Sequence, residues 1–245
     1  MPIGIEVERM KLRRLIRKLL CLSVASLMYT NAAMSETIAM IGTGNLGSAL
    51  GPAFASLGHE IIYGSRDPDR AEIRDLVART GNGASATGQP EAAARADIVV
   101  LAVPWNAIES LMSNLGNLSG KIILDPTNPR MVGEDGLRDF AVAPSNAEWV
   151  QRWAPEASVV KAFNTMNWAT MINPESAGGS VSIPIVGDDA EAKVLVASLV
   201  EGIGLHPMDF GPLRYASVLE GMYIVWGNAR TVGTPFNYYF QPQGN

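Results

Sequence analysis

Six residues constrain this chain more than any other feature: Gly42-Thr43-Gly44-Asn45-Leu46-Gly47, a G-x-G-x-x-G pattern. The pattern follows the apolar run Ile38 to Ile41 and opens the helical stretch Leu46 to Leu57, and this sequence of strand, turn and helix is the context in which it carries meaning. Each glycine has a separate task. Gly42 permits the tight turn, Gly44 lets a pyrophosphate approach the backbone, and Gly47 lets helix and strand pack closely. The helix N-terminus then points unpaired N–H groups at the phosphates. A dinucleotide site is the expectation.

The second strand, Ile61 to Tyr63, decides which dinucleotide. An Asp or Glu at its end would hold a ribose 2′-hydroxyl and repel a 2′-phosphate. Here the chain reads Tyr63-Gly64-Ser65-Arg66. The Ser65 hydroxyl and the Arg66 guanidinium suit a phosphate through charge-assisted hydrogen bonds, so NADP(H) is expected. Asp67 is expected to cap a helix starting at Pro68.

From Thr37 onward, apolar runs alternate with helical stretches: Ile38 to Ile41, Leu46 to Leu57, Ile61 to Tyr63, Asp69 to Thr80, a helix Pro90 to Arg95, a strand Ile98 to Val103, a helix Asn106 to Leu115 and a strand Lys121 to Asp125. Uninterrupted apolar strands between helices belong to buried parallel sheets. The polar stretch Pro126 to Pro144 breaks the rhythm and reads as an active-site loop, followed by a helix Asn146 to Trp153 capped by Ser145 or Asn146. Strands at Val159 to Phe163, Ser182 to Val186 and Leu205 to Phe210, and helices at Asp189 to Gly202 and Leu213 to Ala229, complete the pattern. The fold class is α/β, a Rossmann-type doubly wound and mainly parallel sheet with a small C-terminal α/β extension packed on it. Residues 36–145 form the NADP-binding part, and residues 146–245 a smaller substrate and dimerisation part continuous with the sheet.

Residues 1–35 read differently. A basic stretch (Arg9, Lys11, Arg13, Arg14, Arg17, Lys18) precedes about eleven apolar residues from Leu19 to Tyr29 and a small-residue end at Asn31 to Ser35. That is signal-peptide order, too short for a stable membrane span, and it predicts an exported, periplasmic protein; translation from Met34 would instead make it cytoplasmic. The leader holds six Lys or Arg against two Glu, so a whole-chain charge of −5 leaves about −9 on the body, which argues against nucleic acid. The only cysteine, Cys21, also lies in the leader, and with His59 and His206 the only histidines, no metal site is expected.

Candidate site residues cluster at strand ends, where open α/β sheets bind ligands. Val103, Pro104 and Trp105 follow the strand Ile98 to Val103, and Thr127 and Asn128 follow Asp125; each group either faces the ligand or builds the sheet edge. Asn164 and Thr165 follow Val159 to Phe163 as neutral hydrogen-bonding groups suited to holding a substrate. Lys161 reads as an exposed strand lysine, with proton donation as the other reading. His59 and His206 have no motif around them.

Ile41 to Gly47, Tyr63 to Arg66, Val103-Pro104-Trp105, Lys161-Ala162-Phe163-Asn164-Thr165, Val186-Gly187-Asp188-Asp189 and Asp209 to Leu213 together resemble the coenzyme F420-dependent NADP oxidoreductase family over Thr37 to Ala229. The same blocks are similar to the nucleotide-binding domain of the STEAP metalloreductases. The resemblance implies that Thr43, Asn45 and Leu46 touch the pyrophosphate region, Ser65 and Arg66 the 2′-phosphate, and Val103 and Pro104 the nicotinamide side. It implies hydride transfer between NADP(H) and a deazaflavin, coenzyme F420, or a flavin as small-molecule acceptor, a reaction that needs positioning more than a dedicated acid or base. It also implies a homodimer through C-terminal helices, for which Leu213 to Trp226 and Pro235 to Phe240 offer apolar surface; a tail folded back on its own domain is the other reading. Archaeal members carry histidine where Asn164 stands. Alternatives are a small imine or ketone reductase using Lys161 or water as proton source, and a non-catalytic NADPH-binding sensor.

Overall fold

A computed structural model describes residues 35–240. Of the expected leader, residues 1–34 lie outside the described residues. Glu36 opens a doubly wound sheet of eight strands: β1 (Thr37–Ile41), β2 (Glu60–Ser65), β3 (Ser85–Gly88), β4 (Ile98–Leu101), β5 (Ile122–Asp125), β8 (Ser158–Lys161), β9 (Ser182–Gly187) and β10 (His206–Asp209). Their order is β10-β9-β8-β5-β4-β1-β2-β3. All neighbours run parallel except β8 and β9, so β9 and β10 form an extension running against the rest.

Side-chain alternation within these strands explains the two-layer burial. Ile38 and Met40 of β1 face one apolar cluster while Ala39 and Ile41 face the other, and Ile98 to Leu101 of β4 are fully buried. Helix α1 (Asn45–Ser56) covers the first face through Leu50, Phe54 and Ala55, and α7 (Ala190–Gly202) covers the extension through Val196 and Leu199. On the second face lie α3 (Gln89–Arg95), α4 (Ile108–Asn114), α5 (Asn146–Trp153) and the start of α8 (Ala216–Thr231). Two further helices, α2 (Ala71–Thr80) and the single turn α6 (Trp168–Met171), complete the set.

The chain leaves β1 towards β2 and β3, then crosses back to β4, β5 and β8 on the other side. The switch between β1 and β4 opens a crevice beyond their carboxyl ends, where Ala102 N–H donates to the Ile41 carbonyl at 2.9 Å.

Several local expectations are corrected. Asp67 caps nothing: α2 begins at Ala71 with Arg70 at its N-cap, and the Asp67 N–H instead donates to Ser65 Oγ at 3.2 Å. β3 was not expected, because four half-buried residues with two hydroxyls show no apolar run. The polar stretch after Asp125 contains a short antiparallel hairpin, β6 (Met131–Val132) with β7 (Arg138–Asp139). Ser145 is the cap of α5, its Oγ accepting from Glu148 N–H at 3.2 Å.

Candidate active site

The glycine turn forms a cradle. Gly42 has φ of +113°, and a Cβ there would come within 2.5 Å of the Ala102 carbonyl oxygen. At Gly47 a Cβ would stand 2.1 Å from the Gly42 carbonyl oxygen, so the absent side chain sets how closely α1 approaches β1. Gly44 differs: it is exposed, and nothing stands within 4 Å of a Cβ position. It is also the N-cap of α1 and offers no side-chain acceptor, so the first-turn N–H groups face an open approach. These features fit a pyrophosphate. At the end of β2, Ser65 is buried and Arg66 is exposed, with no carboxylate in ion-pair range of Arg66 among the described residues.

Beyond the cradle lies a cavity of about 470 Å³. Its wall includes Gly44, Asn45 and Leu46 from the turn, Val103, Pro104 and Trp105 after β4, Thr127 and Asn128 after β5, and Asn164 and Thr165 after β8. Four separated segments therefore converge on one cavity. Gly42, Thr43 and Gly47 lie outside this wall, as do Ser65 and Arg66 at the end of β2. Trp105 sits in a 3-10 turn (Trp105–Ala107) and stacks on Trp153 with centroids 5.9 Å apart, so it both braces the edge and faces the cavity.

Asn128 and Asn164 form a reciprocal pair. Asn128 Nδ2 donates to the Asn164 carbonyl at 2.7 Å, and Asn164 Nδ2 donates to Asn128 Oδ1 at 3.1 Å and to the Leu219 carbonyl at 3.0 Å. The Asn164 Oδ1 is buried without a partner, a ready acceptor for an amide N–H. What turns Asn164 inward is Phe163, whose φ of +62° is rare for a bulky side chain and whose ring packs edge-on against Phe54 at 6.1 Å.

Lys161 corrects the expectation of an exposed strand lysine: it is fully buried. Its Nζ donates to Asp125 Oδ2 at 3.0 Å, to Glu220 Oε1 at 2.8 Å and to the Thr127 carbonyl at 2.8 Å. Burial pulls the ammonium down, but Asp125 and Glu220 outweigh it and hold it above the ordinary lysine range. Burial raises the Glu220 carboxyl, against the pull of Lys161. Glu220 also accepts from the Asn146 and Ala147 N–H groups, closing the N-terminus of α5. The cluster thus ties β5, β8, α5 and α8 together beneath the cavity. Neither Asp125 nor Glu220 was singled out from sequence; the signal available was a lone carboxylate in each of two apolar segments.

Aromatic side chains missed in the sequence complete the wall: Trp168 of α6, Tyr223 and Trp226 of α8, and Tyr238 and Tyr239 of the C-terminal segment. The tail folds back on its own domain here, Tyr239 packing on the core and the Phe240 carbonyl accepting from Ser182 Oγ. Burial pushes the Tyr238 hydroxyl up to about 12. Among the described residues, no carboxylate, histidine or lysine lines the cavity. His59 has a structural role, its Nδ1 accepting from Glu36 N–H at 3.1 Å, and His206 lies exposed on β10.

The comparisons agree with this geometry. Residues 37–129 match the family model described as NADP oxidoreductase, coenzyme F420-dependent. F420-dependent NADP reductase of Methanothermobacter thermautotrophicus is 31% identical over 200 residues, spanning 76% of this chain and 86% of that protein. Metalloreductase STEAP3 of Rattus norvegicus is 30% identical over 187 residues, and the chain spans only 36% of its length. A crystal structure from Arthrobacter sp. FB24, assigned as an F420-dependent NADP reductase, superposes with a TM-score of 0.76 at 33% identity, covering 85% of this chain and all of that one. With its nucleotide cradle, switch-point cavity and relatives in accord, the chain belongs to the F420-dependent NADP reductase family.

Proposed function

We propose that this protein transfers hydride between NADP(H) and a planar flavin- or deazaflavin-type acceptor held in the cavity beyond β4, β5 and β8. The observation that carries this reading is a wall rich in aromatic rings and amides that, among the described residues, holds no carboxylate, histidine or lysine. Flat rings stack on such surfaces, and ring-to-ring hydride transfer asks for alignment.

In this reading Gly42, Thr43, Gly44, Asn45, Leu46 and Gly47 hold the pyrophosphate, and Ser65 and Arg66 the 2′-phosphate. Bound NADPH supplies the hydride. Val103 and Pro104 press on the nicotinamide side, while Asn164, braced by Asn128, offers its unpartnered Oδ1 to a carboxamide N–H. Trp105 and Thr165 orient the acceptor. The cavity wall excludes bulk water from the ring interface. A small imine or ketone reductase gains nothing from Lys161, whose ammonium is buried against Asp125 and Glu220 and would leave protonation to a tyrosine or water.

Two measurements test the proposal. Calorimetry should show NADPH binding about tenfold or more tighter than NADH, with Arg66→Ala removing most of that preference. Anaerobic mixing of NADPH-loaded protein with coenzyme F420, FMN or riboflavin should bleach the acceptor's absorbance stoichiometrically with NADPH oxidation. Tight NADPH binding with no turnover against any of them would replace the reductase reading with that of a nucleotide sensor.

A further inference from the structure

Two residues of the cavity wall carry a buried polar atom with no hydrogen-bond partner among the described residues: Asn164 at Oδ1 and Tyr238 at its hydroxyl. The Asn164 oxygen can only accept, and the reading above gives it an amide N–H. The Tyr238 hydroxyl can donate, and no role above uses it. A buried hydroxyl without a partner carries a desolvation penalty, which a carbonyl brought in by a ligand would remove.

The C-terminal tail fixes that hydroxyl from both sides. After α8, Thr234 N–H donates to the Ala229 carbonyl at 2.8 Å, and Gly233 turns the chain at a φ of +86°. The Tyr238 ring packs on Phe236, with centroids 5.8 Å apart, and on Phe240, at 6.4 Å. Phe240 in turn meets Phe210 edge-on at 4.9 Å, and its carbonyl accepts from Ser182 Oγ of β9. Burial pushes the Tyr238 hydroxyl up to about 12, so it keeps its proton and remains a donor throughout the neutral range.

We propose that the Tyr238 hydroxyl donates a hydrogen bond to the pyrimidine-ring carbonyl of the acceptor and stabilises the reduced ring. That carbonyl is common to flavins and deazaflavins. The hydride leaves C4 of the nicotinamide as a proton with two electrons and bonds to the central ring of the acceptor. NADP⁺ remains, and the acceptor becomes an anion whose charge spreads over N1 and the neighbouring carbonyl. A donor already aimed at that position is worth more as the charge develops than before it. Tyr238 keeps its proton, so the step needs no further acid. This rests on the hydride-transfer reading and assigns it a residue that touches the acceptor.

Tyr238→Phe removes the oxygen and keeps the ring, so three measurements separate a donor from a packing residue. The unfolding midpoint should stay the same or rise, because the lost hydroxyl has no protein partner. Anaerobic calorimetry on nucleotide-free protein should show wild type binding reduced riboflavin or reduced coenzyme F420 about tenfold more tightly than the oxidised form, and the variant should lose most of that ratio. Stopped-flow hydride transfer from NADPH to either acceptor should slow by about tenfold or more, with NADPH affinity unchanged within about twofold. A lowered midpoint, a ratio equal in the two proteins, or a loss of NADPH affinity that matches the slower transfer overturns the proposal. An unchanged ratio with transfer intact in both proteins overturns the donor and leaves the hydride-transfer reading standing. A ratio that the variant loses, in a wild type that transfers no hydride, supports the donor and overturns that reading. Failure of both acceptors to bind overturns the two together.

Discussion

At the scale of single residues, the glycines of the turn separate structure from binding. Gly47→Ala drives a Cβ into the Gly42 carbonyl and forces α1 off β1, so unfolding should be easier by about 2–3 kcal/mol and nucleotide affinity should fall with it. Gly44→Ala meets no protein atom, so stability should change by about 1 kcal/mol or less while NADPH affinity drops through contact with the phosphates. Denaturation and calorimetry on the two variants distinguish these outcomes. Lys161→Met strands two buried carboxylates and should remove about 3–5 kcal/mol of stability in urea titrations. Its pH dependence follows from Glu220, which burial raises. A carboxyl raised in the folded chain keeps its proton after the unfolded chain has lost it, so the native state loses ground as pH rises above the ordinary glutamate range. Without the ammonium that rise is larger, and the variant's deficit should be greater at about pH 8 than at about pH 5.

At the scale of elements, α8 carries two faces of different use. Leu219, Glu220 and Ile224 turn inward, and Tyr223 and Trp226 reach the cavity. Val218 and Val225 of α8, and Val232 at its C-cap, spaced seven residues apart, stand 57%, 60% and 64% exposed on the outer side. An apolar seam at that spacing suits a second copy of the same helix, and we propose that the protein forms a homodimer through it. Val225→Glu should then convert the protein to monomer in sedimentation equilibrium; an unchanged mass would remove this seam from the account.

At the scale of the whole molecule, the proposed reaction depends on four strand-end segments meeting at the switch point rather than on a carboxylate, histidine or lysine. Turnover of a flavin-type acceptor should therefore vary by no more than about threefold between about pH 6 and pH 9, where a general acid on the wall would impose a tenfold-per-unit limb. Stopped-flow hydride transfer over that range checks it. We also propose that the protein is exported, on the order of charge and apolarity in residues 1–35. N-terminal sequencing of the native protein should begin near Glu36; retention of the basic segment or a start at Met34 would withdraw that proposal.

The sequence by itself determined the cradle, the nucleotide class and the parallel sheet, because these rest on local causes. A glycine with positive φ, an apolar run long enough for a strand, and Ser65-Arg66 in place of a carboxylate each act through neighbours in the chain. Tertiary structure alone decided the state of Lys161, since the charges that hold it lie 36 and 59 positions away at Asp125 and Glu220. It likewise decided β3, whose half-buried residues gain their partners only from β2, and the aromatic end of the cavity, which assembles from α6, α8 and the tail. Burial and pairing between distant segments are properties of the folded chain, and no window of sequence contains them.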